Sequence, residues 1–246
     1  MPLYHLVRSE STYGMSHNYL KVLKDTIGVD GVNDNLYRLD YFNPRHVTVL
    51  KQRSYLELNN GSYKYLNRVD HEGYDSAQEV KGLTIVPDFV VIADYCKGRV
   101  TPETASSLVS LCDTVYVDTK AKDPRAYAGC TVKLNDEEFK RTKDFHHLFK
   151  RIVHTKGAKG CELIYPDKPH KNIYLAGSKV EPVNVSGAGD VFFATFIGCE
   201  QYLGLSPLNS LLTATAAASV SIQHINTYIP TFKEVIDARK KYCTGT

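Results

Sequence analysis

The chain has 246 residues, 43% hydrophobic and 23% charged, which is enough apolar material for one large α/β domain with a substantial core. Its formal charge of +3 is spread without a basic run or a basic-aromatic stripe, which argues against a nucleic-acid-binding protein and leaves room for phosphorylated metabolites. Six cysteines at long, irregular spacings read as reduced thiols. The first residues lack the basic and apolar regions of a signal peptide, and no apolar run reaches transmembrane length, so the expected location is the cytoplasm, with no membrane association.

In chain order, Leu3 to Val7 alternates as a short strand and residues 18–27 carry the spacing of an amphipathic helix, with Gly14 and Asn18 in the loop before it. Residues 46–58 and 62–69 are β-rich runs joined by Asn59-Asn60-Gly61, a strong hairpin signal. The hairpin carries Lys51, Arg53 and Arg68, which are either solvated or, in Arg53 or Arg68, offer a guanidinium fork to an anion. From Pro87 onward, strands and helices alternate, the pattern of a parallel sheet with crossover helices. Phe89 to Ala93 is a continuous apolar run that delivers Asp94-Tyr95-Cys96-Lys97-Gly98 to a strand end, where ligands bind in such sheets. Asp94 and Lys97 face a ligand there or pair with each other.

Thr101-Pro102-Glu103 starts a helix. The strand over 114–117 ends in Asp118-Thr119-Lys120, and that over 131–134 ends in Asn135-Asp136-Glu137-Glu138, where Asn135 also suits an N-cap. His146 and His147 are expected on the following helix, solvated. The strand over 151–155 enters a turn with Gly157 and Gly160, and residues 161–165 and 173–180 form a strand pair.

Residues 183–194 read as a loop turning into a helix. The N–H groups of Gly187, Ala188 and Gly189 and the positive end of the helix make a candidate anion cradle, beside which Asp190 is either a first-turn acid or a base for a hydroxyl. Helices over 191–202, 208–222 and 231–241 complete the chain, which contains no repeat, low-complexity segment or linker and reads as one unit over 1–246.

Asp94-Tyr95-x-Lys97-Gly98, Asp118-x-Lys120, Asn135-x-x-Glu138, Thr155-x-Gly157-x-x-Gly160 and Gly187-Ala188-Gly189-Asp190 together resemble the PfkB (ribokinase-like) carbohydrate kinases. They occur in that family's order, each at a predicted strand end or turn, and the similarity runs from about Leu3 to Lys241. It is nearest to the heptose 7-phosphate kinase branch. The resemblance implies a three-layer α/β/α fold with a mainly parallel sheet and a hairpin lid at 46–69. It also implies ATP and Mg2+ as cofactors, Asp190 as catalytic base, and Gly187, Ala188 and Gly189 as the hole for the transferred phosphoryl group. Asn135 and Glu138 would position Mg2+ through its bound water. Thr155, Gly157 and Gly160 would form the nucleotide turn, with Asn226 beside the adenine. Gly14, Asn18, Asp94 and Lys97 would belong to the sugar site, and Arg53 or Arg68 would hold a sugar phosphate.

Three departures accompany the resemblance. Met15 replaces a glycine of the sugar-site motif, and Asn184 stands where the family usually has an aspartate that helps order the loop and a nearby monovalent cation. The family's opening strand ending in Gly-Asp is missing, the chain beginning beyond it. A sheet short of an interior strand is expected to be repaired by closure or by a homodimer joined through the hairpin, with the sugar site less complete than the nucleotide site. The alternative function is a catalytically weak kinase-like protein that binds nucleotide or a protein partner.

Overall fold

The computed structural model describes residues 3–7, 36–38, 50–57, 63–71, 87–98, 100–225 and 227–244. The strands are β1 (Leu3–Val7), β2 (Leu36–Arg38), β3 (Leu50–Glu57), β4 (Tyr63–His71), β5 (Phe89–Asp94), β6 (Val115–Thr119), β7 (Thr131–Asn135), β8 (Arg151–Thr155), β9 (Gly160–Ile164) and β10 (Ile173–Ala176). The α-helices are α1 (Pro102–Val109), α2 (Asp136–Arg141), α3 (Ala188–Gln201), α4 (Pro207–Ser221) and α5 (Phe232–Thr244). Ten strands thus stand among the described residues; eight form one sheet in the order β10-β9-β8-β7-β6-β5-β1-β2, and β3 pairs with β4 in a separate antiparallel ribbon.

Strands β2, β1, β5, β6, β7 and β8 run parallel; at the other edge β9 pairs antiparallel with β8, and β10 antiparallel with β9. Of these, β5 to β8 are buried along most of their length on both faces, and β5 accordingly reads as an apolar run without alternation. Within β5 the side chains divide by parity. Phe89 and Val91 join a core with Tyr116, Val153, Leu163, α3, α4 and Val235 of α5; Val90 and Ile92 join a second core with Val117, Val132, Leu134, Leu108 of α1 and Phe149. Two cores on the two faces of one sheet make a three-layer α/β/α molecule.

Helix α3 is buried through nine consecutive residues, Val191 to Cys199, and its apolar character all around matches that placement. It is tied to the sheet by Glu200, which takes a two-pronged ion pair from Arg151 on β8 at 2.7 and 2.8 Å and a hydrogen bond from the Tyr116 hydroxyl at 2.7 Å.

The structure also revises several sequence expectations. Because β1 lies between β5 and β2, β5 is paired on both sides and its ladder needs no repair from a second chain. The helix read after the Gly-Ala-Gly turn begins at Ala188, three residues before the apolar stretch 191–202, which sets Asp190 in its first turn as expected; the chain enters it directly from Gly187 at a positive φ of 77°. The strand expected over 173–180 stops at Ala176, where Gly177 packs its backbone against the turn before β9. His146 and His147 fall in a 3-10 turn beyond α2, and His146 packs on Phe139 with ring centres 4.2 Å apart. The helix read at 18–27 lies outside the described residues.

Candidate active site

The carboxyl ends of β5 to β8 and the start of α3 border one cavity of about 720 Å3. Its composition changes from end to end. Val180, Pro182, Ala218 and Ile222 make one side apolar, while Tyr95, Lys120, Lys133, Asp190 and the 187–189 turn make the other polar.

The polar end is built on Gly187. Its left-handed backbone turns the loop into α3, and a Cβ there would lie 2.6 Å from the methyl carbon of Thr227, so both conformation and space call for glycine. No side chain caps this helix, whose first-turn N–H groups have no carbonyl one turn back to bond. The Ala188 N–H makes a long bond of 3.3 Å to the Val185 carbonyl; the turn and the helix dipole together still form a site for an anion.

Beneath the turn lies Lys133, buried on β7 and opposite Asp118 of β6 in the ladder register. Its ammonium bonds Asp118 Oδ2 at 2.5 Å, and a Cβ added at Gly189 would sit 3.1 Å from its Nζ, so the cation lies directly under the anion turn. Burial opposes the charge on Lys133, but Asp118 and Asp190 outweigh it and raise its pKa. Asp190 projects into the same place. Burial raises its pKa, while Lys133 and a 3.0 Å hydrogen bond from the Tyr95 hydroxyl work to lower it. One ammonium thus serves two carboxylates, and Asp118 takes the direct bond. Asp118 Oδ1 is buried with no hydrogen-bond partner, so the cluster keeps an unsatisfied acceptor.

Asp94 is buried behind the cavity wall, where its carboxylate accepts from the Cys96 N–H at 2.8 Å, the Thr119 hydroxyl at 3.0 Å and the Tyr127 hydroxyl at 2.7 Å. These bonds hold Cys96 in a left-handed conformation, φ 56°, and aim Tyr95 at Asp190. Lys97 is half-buried in the same loop, and neither it nor Asp94 lines the cavity. Asn135 lines it and forms a capping box with Glu138: the Glu138 N–H donates to Asn135 Oδ1 at 2.9 Å, and the Asn135 N–H donates to Glu138 Oε2 at 2.8 Å. Glu138 is buried, and its Oε1 accepts from Lys120 and from the Asn135 amide, so Asp136 and Glu137 are the carboxylates of this segment that face the cavity. Among the described residues, no cluster of three or more His, Cys, Asp or Glu side chains is arranged to hold a metal directly.

Thr155, Gly157 and Gly160 line the cavity where β8 turns into β9. Gly160, at φ 101°, leaves no room for a Cβ, which would lie 2.0 Å from the Leu175 carbonyl oxygen; one at Gly177 would lie 2.0 Å from the Ala158 carbonyl oxygen. This backbone-to-backbone contact shapes the floor between the two ends of the cavity.

The structure therefore gathers Asp190, the 187–189 turn, Asn135, Thr155, Gly157 and Gly160 around one space. Gly14, Asn18 and Asn226 lie outside the described residues; Arg53 and Arg68 are described as positions in β3 and β4, directly opposite each other in register. Sequence reasoning missed Tyr95, Lys120 and Lys133 as site residues. Tyr95 stood inside a motif already singled out, whereas Lys133 carried no signal beyond being a charged residue in an otherwise apolar strand.

Comparison with known proteins agrees with this geometry. The profile of the pfkB family carbohydrate kinases matches residues 107–233. A curated relative, the bifunctional protein HldE of Mesorhizobium japonicum, is 26% identical over 86% of this chain, which spans about half, 49%, of that protein. A ribokinase from Thermotoga maritima superposes with a TM-score of 0.63 at 14% identity, covering 98% of this chain and 99% of that one. Phosphofructokinase-2 from Escherichia coli, solved in complex with potassium, does so with a TM-score of 0.65 at 11% identity, covering 98% and 99%. With a family match over more than half of its length and a ribokinase-like fold, the chain belongs to the PfkB family of carbohydrate kinases.

Proposed function

We propose that the chain transfers the terminal phosphoryl group of ATP to a hydroxyl of a sugar or sugar phosphate, with Asp190 taking the hydroxyl proton. One observation carries the reading: Asp190 stands in the first turn of α3, next to uncapped helix N–H groups and above the buried Lys133 ammonium, at the polar end of the cavity. A carboxylate whose pKa is raised by burial is a stronger base than a solvated one, and the neighbouring N–H groups and ammonium oppose the charge of the moving phosphoryl group. The adenine belongs on the apolar side, against Val180, Pro182, Ala218 and Ile222, with the phosphates passing Gly157 and Gly160.

Mg2+ fits this site through water. Glu138 spends its oxygens on Asn135 and Lys120 and would act by positioning those two; Asp136 and Glu137 face the cavity and would hold the ion's hydration shell, and the ion when bound would neutralise phosphate charge. For the acceptor, we assign Gly14, Asn18 and Lys97 to the sugar side, with Asp94 acting there only by holding the loop that carries Lys97, and the hairpin of β3 and β4 to a lid within a single 1–246 domain. The register sets Arg53 directly opposite Arg68, so two positions whose residue type can offer a guanidinium fork to one anion share a point of the ribbon. A sugar phosphate supplies that anion, in keeping with the resemblance to the heptose-phosphate branch.

Coupled ADP release over matched sugars and sugar phosphates tests this reading. Faster turnover with phosphorylated acceptors supports it; equal rates for both forms remove the phosphate contact from Arg53 and Arg68. ATP binding with no turnover on any acceptor would replace the kinase reading with the nucleotide-binding one.

We also place a second copy of the chain against the hairpin. Among the described residues its two strands pair only with each other, which leaves backbone donors and acceptors along both outer edges. Light scattering at micromolar concentration checks this, and a monomer mass would overturn it.

A further inference from the structure

The entry to the anion turn is fastened by Asn184. Its Oδ1 accepts the Ser186 N–H at 2.9 Å, and its Nδ2 donates to the Ile225 carbonyl at 2.6 Å. One partner is a donor and the other an acceptor, so the amide has one orientation that satisfies both. Alongside, the N–H groups of Val183 and Asn184 share the Ile222 carbonyl at 2.7 and 3.1 Å. Ile222 is the C-cap of α4, where backbone carbonyls gather partial negative charge. The backbone of the loop that carries the turn is thus stitched to the negative end of α4, and the side chain at 184 brings a further N–H to the Ile225 carbonyl, three residues beyond the C-cap.

An aspartate at 184 would reverse one half of this arrangement. It would still accept from Ser186, but its other oxygen would face the Ile225 oxygen with no proton between them, in a loop already bonded to the Ile222 carbonyl. Two facing acceptors in such a place need a cation to hold them together. The monovalent ion that the resemblance associates with an aspartate here therefore does not fit this chain, because an amide donor already occupies the contact.

We propose that the Asn184 side-chain amide replaces a monovalent cation, fixing the anion turn against the segment that follows α4 without an ion. The idea goes beyond the kinase reading and needs no turnover to be tested.

The test compares wild type and Asn184→Asp at pH 8, in potassium chloride and in tetramethylammonium chloride at equal ionic strength, with two measurements: melting temperature without nucleotide, and titration with ATP. Wild type is expected to melt at the same temperature and bind ATP equally well in both salts. Asn184→Asp is expected to melt about 2–4 °C lower in tetramethylammonium, with ATP binding weakened about tenfold, and to recover both in potassium. A potassium-specific gain in the wild type overturns the proposal, and so does an Asn184→Asp protein that behaves identically in the two salts. If the variant does not fold in either salt, the wild-type comparison decides alone. The melting arm uses no ATP, so it stands even if the kinase reading fails.

Discussion

Asp190 shares one ammonium with Asp118, and that imbalance sets its chemistry. Burial holds its proton on to a higher pH than an ordinary aspartate would, and the Tyr95 hydroxyl opposes this by donating to the ionised form. A base must be deprotonated to act, so activity should fall as pH drops through the raised pKa of Asp190, an acid limb lying above the ordinary aspartate value of 3.8. Tyr95→Phe removes the stabilising bond and should move that limb to still higher pH; a pH-rate profile whose acid limb stays in place would take Tyr95 out of this role. Lys133→Met leaves two neighbouring carboxylates without their cation, a loss of about 3–5 kcal/mol at neutral pH. Protonation relieves that repulsion, so the deficit should shrink as pH falls. Urea denaturation at pH 7.5 and 5.5 measures it, and an equal deficit at both would assign the loss to packing.

The elements bring these residues together through strand ends and two close backbone contacts. Gly160→Ala forces a Cβ to within 2.0 Å of the Leu175 carbonyl oxygen at a φ of 101°, so β9 and β10 must separate. The expected result is a lower melting temperature together with weaker ATP binding; a variant that melts and binds like wild type would show that the contact does not shape the cavity floor. Much of this level is written in the sequence. A continuous apolar run marked β5, shorter runs marked β6 to β8, and short motifs marked the turns at their ends. Sequence could not show what depends on neighbours far along the chain. Asp118, Lys133 and Asp190 come from two strands and a helix, and become a cluster only because β6 and β7 are adjacent and α3 begins above them. Asp94 reads as a ligand because it ends a strand, yet three donors from its own loop, β6 and a nearby 3-10 turn claim its carboxylate.

At the scale of the whole molecule, one sheet with a core on each face presents the ends of β5 to β8 to a single cavity, and α3 delivers the 187–189 turn and Asp190 to that cavity together. Family membership and three-layer architecture were legible from the order of the motifs. The place of β1 was not, because five alternating residues state a strand without stating its neighbours, and the pairing with both β5 and β2 is a property of the sheet. The central claim is that this architecture makes Asp190 the base of a phosphoryl transfer. The most direct measurement is acceptor-dependent ADP release by wild type and Asp190→Asn, with ATP affinity measured on both. Turnover should fall by about 100- to 10,000-fold in Asp190→Asn while ATP binds within about threefold of wild type, because the amide keeps the shape and cannot take the proton. Turnover by Asp190→Asn within a few-fold of wild type would contradict the claim.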